Sequence, residues 1–411
     1  MLAAPAAAAL LSACGARDDP QRVRMWAMDA EGANVKYLLP AFRQATGISV
    51  DAQALPWTAA HEKMLTAYAG DSLPDVMMLS NAWIAEFALI GAIEPLPAAQ
   101  RGLLADQFAG VRAAAQVGGR DYGVPWVVGA MVQFFRRDLL ARAGFDSPPL
   151  ELDAWKAMLH AVRRRAGSPF AVLMLLDWPE HLFNFAAQMP DPLLRDRDAR
   201  GNFRSAGFRE TLAFYKSLFD EGLAPRVVST ELSDPLTEFA RGWFAIYLSG
   251  SWTVAEIARR GIELPRARWG TAMLPGRDGP GVGGVAGSSL LVPRGARNAA
   301  RGWQLIKYLC QPDTQVRFRT LAGSLPSRPS AWASPALARD PAMATFADQI
   351  ARATPGPKVP EWAQIATETQ FVAERMVRGL LTVDQAAMEM DARADRILEK
   401  RRWMLDRGTI A

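Results

Sequence analysis

An α/β fold divided into two lobes is what this sequence predicts, and three observations predict it. The chain has 411 residues, and at roughly 100–200 residues per domain that length favours two or more domains over one core. From Val23 onward short β-type runs alternate with helical ones, the signature of α/β domains with largely parallel sheets. Hydrophobic residues make up 50% and charged residues 22%, an ordinary globular balance. No run reaches the roughly 18–20 consecutive apolar residues of a membrane-spanning helix.

The first lobe opens with a strand over 23–28. A helix is predicted over 34–45, with Val35, Leu38, Leu39 and Phe42 on one face and Gly47 ending it. A strand over 48–52, a helix over 59–69 closed by Gly70, and a strand over 75–79 complete a β-α-β-α-β start. In doubly wound sheets ligands sit beyond the carboxyl ends of the strands. Asp29, Pro56-Trp57 and Ser80-Asn81-Ala82-Trp83 are therefore candidate pocket residues by position.

Residues 121–128 hold a Gly and a Pro between regular regions and are expected to cross between lobes, with a strand at 131–135 beyond them. The second lobe then carries helices over 153–165 and 207–221 and a strand over 243–248. Ser249-Gly250-Ser251-Trp252 follows and opens a helix whose free N–H groups face the crevice. The glycine-dense stretch 276–287 is expected to be a flexible second crossing, leading to a strand over 288–293 and a helix over 299–310. A third crossing is predicted at 325–329. The remainder is helical, and its last helix starts with a capping box, Thr382 to Gln385, ahead of Ala387, Met390, Ala394 and Ile397. These boundaries make 23–126 with 285–326 the first lobe and 127–284 with 327–411 the second.

Charge and composition remove several functions. The 47 basic residues are scattered among 42 acids, and only seven of them are lysine, so the clustered basic face of a nucleic-acid binder is absent. Three isolated histidines, His61, His160 and His181, show no metal or triad spacing. No metal and no cofactor is expected. The Gly281–Gly287 segment lacks the Lys-Ser/Thr end of a P-loop and the spacing of a dinucleotide fingerprint.

Residues 1–14 read as an export signal, too short for a permanent span. The run ends Leu11-Ser12-Ala13-Cys14, which resembles a bacterial lipobox, with Cys14 as the lipid attachment site and 15–22 as a tether. No Lys or Arg precedes the apolar run, so a basic segment is expected upstream of Met1. The expected location is extracytoplasmic, with the membrane reached through lipid alone.

Thirteen tryptophans are the positive signal. Trp26, Trp57, Trp83, Trp126, Trp178, Trp252 and Trp362 fall at strand ends or turns, where a broad apolar ring can cover the C–H side of a pyranose. Trp155, Trp243, Trp303 and Trp403 lie in regular patterns and are assigned to packing.

The order of motifs resembles that of the family 1 extracellular solute-binding proteins, the sugar-binding components of ATP-driven importers. The residues carrying the likeness are Thr46-Gly47-Ile48-Ser49-Val50, Ala69-Gly70-Asp71-Ser72-Leu73-Pro74-Asp75-Val76 and Gly91-Ala92-Ile93-Glu94-Pro95-Leu96. Further along come Tyr122-Gly123-Val124-Pro125-Trp126, Arg137-Asp138-Leu139-Leu140, Ser249-Gly250-Ser251-Trp252, Gly283-Gly284 and Leu325-Pro326-Ser327-Arg328. The resemblance implies a two-lobed periplasmic-binding-protein fold of type II, with three crossings and a ligand cleft between the lobes that closes by hinge motion.

It also implies roles. Asp29 falls where relatives place a carboxylate for sugar hydroxyls, and Gln53 stands where some have an acid. Trp252 and Trp362 match two aromatic platforms, and Asp177-Trp178 lies where relatives carry an acid and an aromatic. Ser80, Asn81, Trp83, Trp126 and Gly284 complete the expected site. Arg328 either reaches the pocket or bonds to backbone at the crossing. After Trp126 many relatives have a polar residue, whereas this chain has Val127-Val128-Gly129-Ala130.

The implied function is a non-enzymatic, monomeric receptor for an α-glucoside disaccharide, with maltose or trehalose as best matches, delivering to a two-subunit permease with a cytoplasmic ATPase. One alternative is a receptor for glycerol 3-phosphate or another anion, which needs converging cations. A second is a secreted glycoside hydrolase, which needs two carboxylates about 5–10 Å apart.

Overall fold

The computed structural model describes residues 22–259, 264–284 and 286–410. The signal segment, Cys14 and nearly all of the tether lie outside the described residues. Ten strands in two sheets organise the rest: β1 (Val23–Met28), β2 (Val50–Leu55), β3 (Val76–Ser80), β4 (Val124–Gly129), β5 (Val132–Arg136), β6 (Val172–Leu173), β7 (Ile246–Ser249), β8 (Trp269–Ala272), β9 (Ala286–Leu291) and β10 (Leu325–Pro326). The first lobe's sheet has the order β10-β4-β9-β3-β1-β2, and the second lobe's has the order β8-β5-β7-β6.

The sheets are mixed, not largely parallel. β1 pairs in parallel with β2 and β3, and β7 with β6, while every pairing of β9, β10, β5 and β8 is antiparallel. The reason is connectivity: β9 and β10 enter the first sheet after the chain has visited the second lobe, and they run back against the original strands. β3, with Val76–Leu79 buried, is covered on both faces, so it reads as a continuous apolar run without alternation; β5 is buried throughout even though it carries Gln133 and Arg136.

The helix expected over 34–45 is two helices, Asp29–Val35 and Leu39–Thr46. Pro40 has no N–H, and its ring crowds the carbonyl four residues back, so one continuous helix through Lys36–Leu38 is barred. Gly47 caps the second helix in a left-handed conformation, its N–H on the Arg43 carbonyl.

The chain leaves the first sheet after Gly129, not after Trp126. Val127 and Val128 still pair with Pro326 and Leu325, and Ala130-Met131 carries the chain to β5. The polar group missing after Trp126 is thus replaced by two buried sheet residues.

Three apolar cores result. One lies under the first sheet around Phe42, Phe87, Trp126 and Phe318, and one under the second around Trp155, Tyr215, Phe219 and Met376. A third, with Val128, Ala130, Phe134, Leu325 and Phe346, sits where the crossings meet. The capping box forms as expected, with Thr382 N–H on Gln385 at 2.9 Å and Gln385 N–H on Thr382 Oγ1 at 3.2 Å. It opens the helix Val383–Ile397, which is not the last: Glu399–Asp406 follows. Trp403 on that helix is 52% exposed and lies against the Arg407 guanidinium, so its assignment to the core is corrected.

Candidate binding cleft

The first wall stands at the carboxyl ends of β1, β2 and β3. Asp29 follows β1 directly and is exposed, with φ of 32°, a backbone strain that non-glycine residues keep mainly where function requires it. Its helix presses onto the sheet because Gly32 has no Cβ; one added there would stand 2.4 Å from the Ala27 carbonyl oxygen. Glu31, two residues on, accepts a 2.7 Å bond from Ser324 Oγ beside the third crossing. Burial raises the Glu31 pKa, with the Ser324 bond opposing and the Asp29 charge adding to the rise.

β2 ends in Leu55, and after Pro56 Trp57 starts the helix Trp57–Ala69. β3 ends in Ser80, and Trp83 precedes the helix Ile84–Leu89. The two indoles meet edge to face, centroids 5.6 Å apart. His61, one turn beyond Trp57, packs on Trp83 at 4.9 Å, and its Nε2 lies 2.6 Å from Glu86 Oε2.

The second wall begins where β7 ends. Gly250 lies under the ring of Trp252, which is 45% exposed. Thr253 donates to the buried Ser249 Oγ at 2.7 Å and locks the turn. His181 pins this turn to the Asp177-Trp178 loop. Its Nδ1 accepts from the Leu175 N–H at 3.0 Å, which leaves Nε2 as the donor to the Leu248 carbonyl at 3.4 Å. Burial pushes the imidazole pKa down to about 4, with both backbone bonds and Asp177 opposing. Trp178 is half-buried on His181, and Trp362, also half-buried, tilts on Phe183 at 5.0 Å. The walls approach where a Cβ on Gly323 would stand 3.2 Å from Ala255 of Trp252's helix.

Several expected site residues do other work. Trp126 is fully buried, stacked on Phe318 at 4.6 Å, and belongs to the first core. Gln53 lies mid-way along edge strand β2, paired with Trp26, not at the strand's end. The Asp177 carboxylate accepts the Ser229 N–H at 2.9 Å and its hydroxyl, so it fastens a turn. Arg328 takes the backbone option: its Nη2 donates to the Leu103 carbonyl at 2.8 Å. Nearby, Ser330 bonds to Asp106 and the Lys358 ammonium to the Ala114 carbonyl, with burial lowering the lysine pKa to about 8. Ser80 Oγ accepts from the Ala82 N–H, and buried Asn81 accepts from Ser289 Oγ at 2.7 Å.

Gly284 is exposed, but its N–H donates to Asn184 Oδ1 at 3.0 Å. It is the end of a clamped strap, not of a flexible one. Gln188 bonds both the N–H and the carbonyl of Val282, and buried Gln349 bonds the Leu274 N–H at 2.7 Å and the Gly281 carbonyl at 3.1 Å. Sequence reasoning missed these three amides because each lies far from the strap in sequence. It missed His61 and Glu31 as well, although spacing by one helical turn from Trp57 and by two residues from Asp29 was the available signal.

Among the described residues no group of three or more His, Cys, Asp or Glu is placed to hold a metal, and no helix is long and apolar enough to cross a membrane. Two concavities, of about 320 Å³ beside Arg24 and Arg294 and about 820 Å³ beside Lys36 and Arg43, lie at the amino ends of β1–β3. They are on the wrong edge of the sheet for the crevice rule.

Two α/β lobes, three crossings and aromatic-bearing walls at strand ends define a two-lobed solute-binding protein. The profile of bacterial extracellular solute-binding proteins matches residues 38–345, and the chain belongs to that family. The sugar-binding protein MalE from Xanthomonas citri is 43% identical, with TM-score 0.91, covering 94% of this chain and 99% of its own. Maltose-bound T. maritima MalE3 is 22% identical with TM-score 0.77, over 92% and 99%. A binding protein of Brucella abortus is 24% identical over 365 residues, 86% of this chain and 87% of its own.

Proposed function

We propose that the protein is the extracytoplasmic sugar receptor of an ABC importer, which captures an α-glucoside such as maltose or trehalose between its lobes. The observation that carries this reading is Trp252: an indole 45% exposed, seated on a glycine turn at the mouth of the second wall. An exposed ring of that size is costly in water and suits the C–H face of a sugar. Asp29, exposed and strained on the facing lobe, supplies an acceptor for hydroxyls, and likeness at 43% identity to a sugar-binding MalE supports the ligand class. The anion reading loses its cation, because Arg328 is engaged with Leu103.

In this reading the lobes are 22–129 with 286–326 and 130–284 with 327–410. Sugar touching both walls favours the closed state by its differential affinity, and the permease accepts that state. Cys14 carries the lipid, and the receptor acts as a monomer without catalysis. Calorimetric titration of residues 22–411 with maltose, trehalose, sucrose and glycerol 3-phosphate tests it. Binding of one or two α-glucosides alone is expected, and binding of the phosphate alone overturns it.

A further inference from the structure

We propose that the edge of the first sheet at the amino ends of β1–β3 docks on the headgroups of anionic phospholipids, on the side from which the tether leaves. The proposal takes from the receptor reading above only the lipid on Cys14.

Two concavities open on this edge. The larger, of about 820 Å³, is lined by Arg22, Lys36 and Arg43, with no acid among its lining residues. The smaller, of about 320 Å³, is lined by Arg24, Arg294 and Arg297, with Asp71 as its one acid. Nearby acids do not cancel these charges. Asp51 meets Arg22 at 3.5 Å and Glu94 meets Arg294 at 3.4 Å, but all four side chains are more than half exposed, and such pairs are worth little in water. Asp75 is buried and already accepts the Arg24 and Asn298 N–H groups at 2.9 and 2.8 Å. Exposed Tyr37 lies against Lys36, whose Nζ is 5.2 Å from the ring centroid, and a tyrosine beside cations suits the headgroup level of a bilayer.

Chain connectivity commits the face to a membrane. Arg22 lines the larger concavity and comes eight residues after Cys14, a reach of at most about 29 Å. A lipid at Cys14 therefore keeps this edge beside the bilayer at high effective concentration. The tether itself has one cation, Arg17, against Asp18 and Asp19, so the attraction has to come from the folded face. Each Lys or Arg near an anionic surface contributes about 1 kcal/mol, fading within a Debye length of about 8 Å. The cleft wall stands at the opposite ends of the same strands, which are five or six residues long, so docking holds it roughly 17–20 Å clear of the surface.

The experiment sediments residues 15–411, without lipid, with phosphatidylcholine vesicles that contain or lack phosphatidylglycerol. Partition into the phosphatidylglycerol vesicles alone is expected, falling as salt is raised. Lys36→Gln with Arg43→Gln is expected to lower that partition about thirtyfold, two cations at about 1 kcal/mol each. Arg142→Gln with Arg164→Gln, at exposed helix positions of the second lobe, is expected to change it less than about twofold. Thermal melts and maltose titration confirm that both variants are folded. Equal partition into the two kinds of vesicle, or equal loss from the two pairs, overturns the face. Displacement by inorganic phosphate at constant ionic strength overturns it as well, since the cations would then hold a free anion. Any of these results with maltose binding intact leaves the receptor standing, and absence of maltose binding with vesicle binding kept counts against the receptor alone.

Discussion

The ring of Trp252 lies directly against the backbone of Gly250: a Cβ built on the glycine would stand 1.9 Å from the indole. The glycine is therefore part of the platform, since any side chain there evicts the ring. Gly250→Ala is expected to weaken sugar binding about as much as Trp252→Ala, by roughly 1–3 kcal/mol. Calorimetry on both variants checks this, and unchanged affinity in Gly250→Ala refutes it.

Trp126 provides the contrast. It is fully buried on Phe318, so Trp126→Ala is expected to cost stability, roughly 3–5 kcal/mol. Its effect on affinity per folded molecule is expected to be small. Urea unfolding together with titration below the transition separates the two.

The strap 281–284 depends on Gln349, which serves a donor and an acceptor of the backbone while buried. Gln349→Leu leaves both unpaired and is expected to destabilise by about 2–4 kcal/mol. A melting temperature equal to wild type would show that the strap needs no clamp.

His181 makes stability depend on pH. Its folded pKa is about 4 against an ordinary 6.5, so the unfolded chain takes the proton first as pH falls. The contribution is whole above pH 6.5 and is lost progressively towards about pH 4, at up to about 1.4 kcal/mol per pH unit. Glu31 acts in the opposite sense, because its raised pKa favours the folded state on the acid side and that contribution fades as pH rises through it. Urea midpoints of Glu31→Gln, with and without His181→Gln, isolate the histidine. Parallel pH profiles would refute its role.

Cys310 is fully buried and its thiol is pushed up to about 12. A protein comprising residues 22–411 is expected to resist thiol reagents while native and to react once unfolded. Fast native labelling would contradict the packing of the first core.

What was legible in the sequence follows from local physics. Gly47 and the Thr382–Gln385 box stop and start helices by backbone chemistry that acts within a few residues, and the structure has both. Pro40 carried an equally local signal, and the apolar spacing of Val35 to Phe42 concealed it. The aromatic and acidic residues beyond β1, β2 and β3 were found because side chains at a strand's carboxyl end are fixed by the order of elements alone.

The roles within the cleft were not legible, because they are set by contacts distant in sequence. Trp126 and Trp252 are the same residue type and both looked like cleft residues, yet Trp126 sits within β4 and is buried on Phe318, while Gly250 presents Trp252. Asp177 looks like Asp29 until Ser229 occupies it, and Arg328 looks like a ligand cation until Leu103 takes its bond. The sequence by itself determined the α/β order and the family. Only the tertiary structure decided which polar and aromatic groups remain free for a ligand, since each hydrogen bond or ring contact already made removes a group from that set.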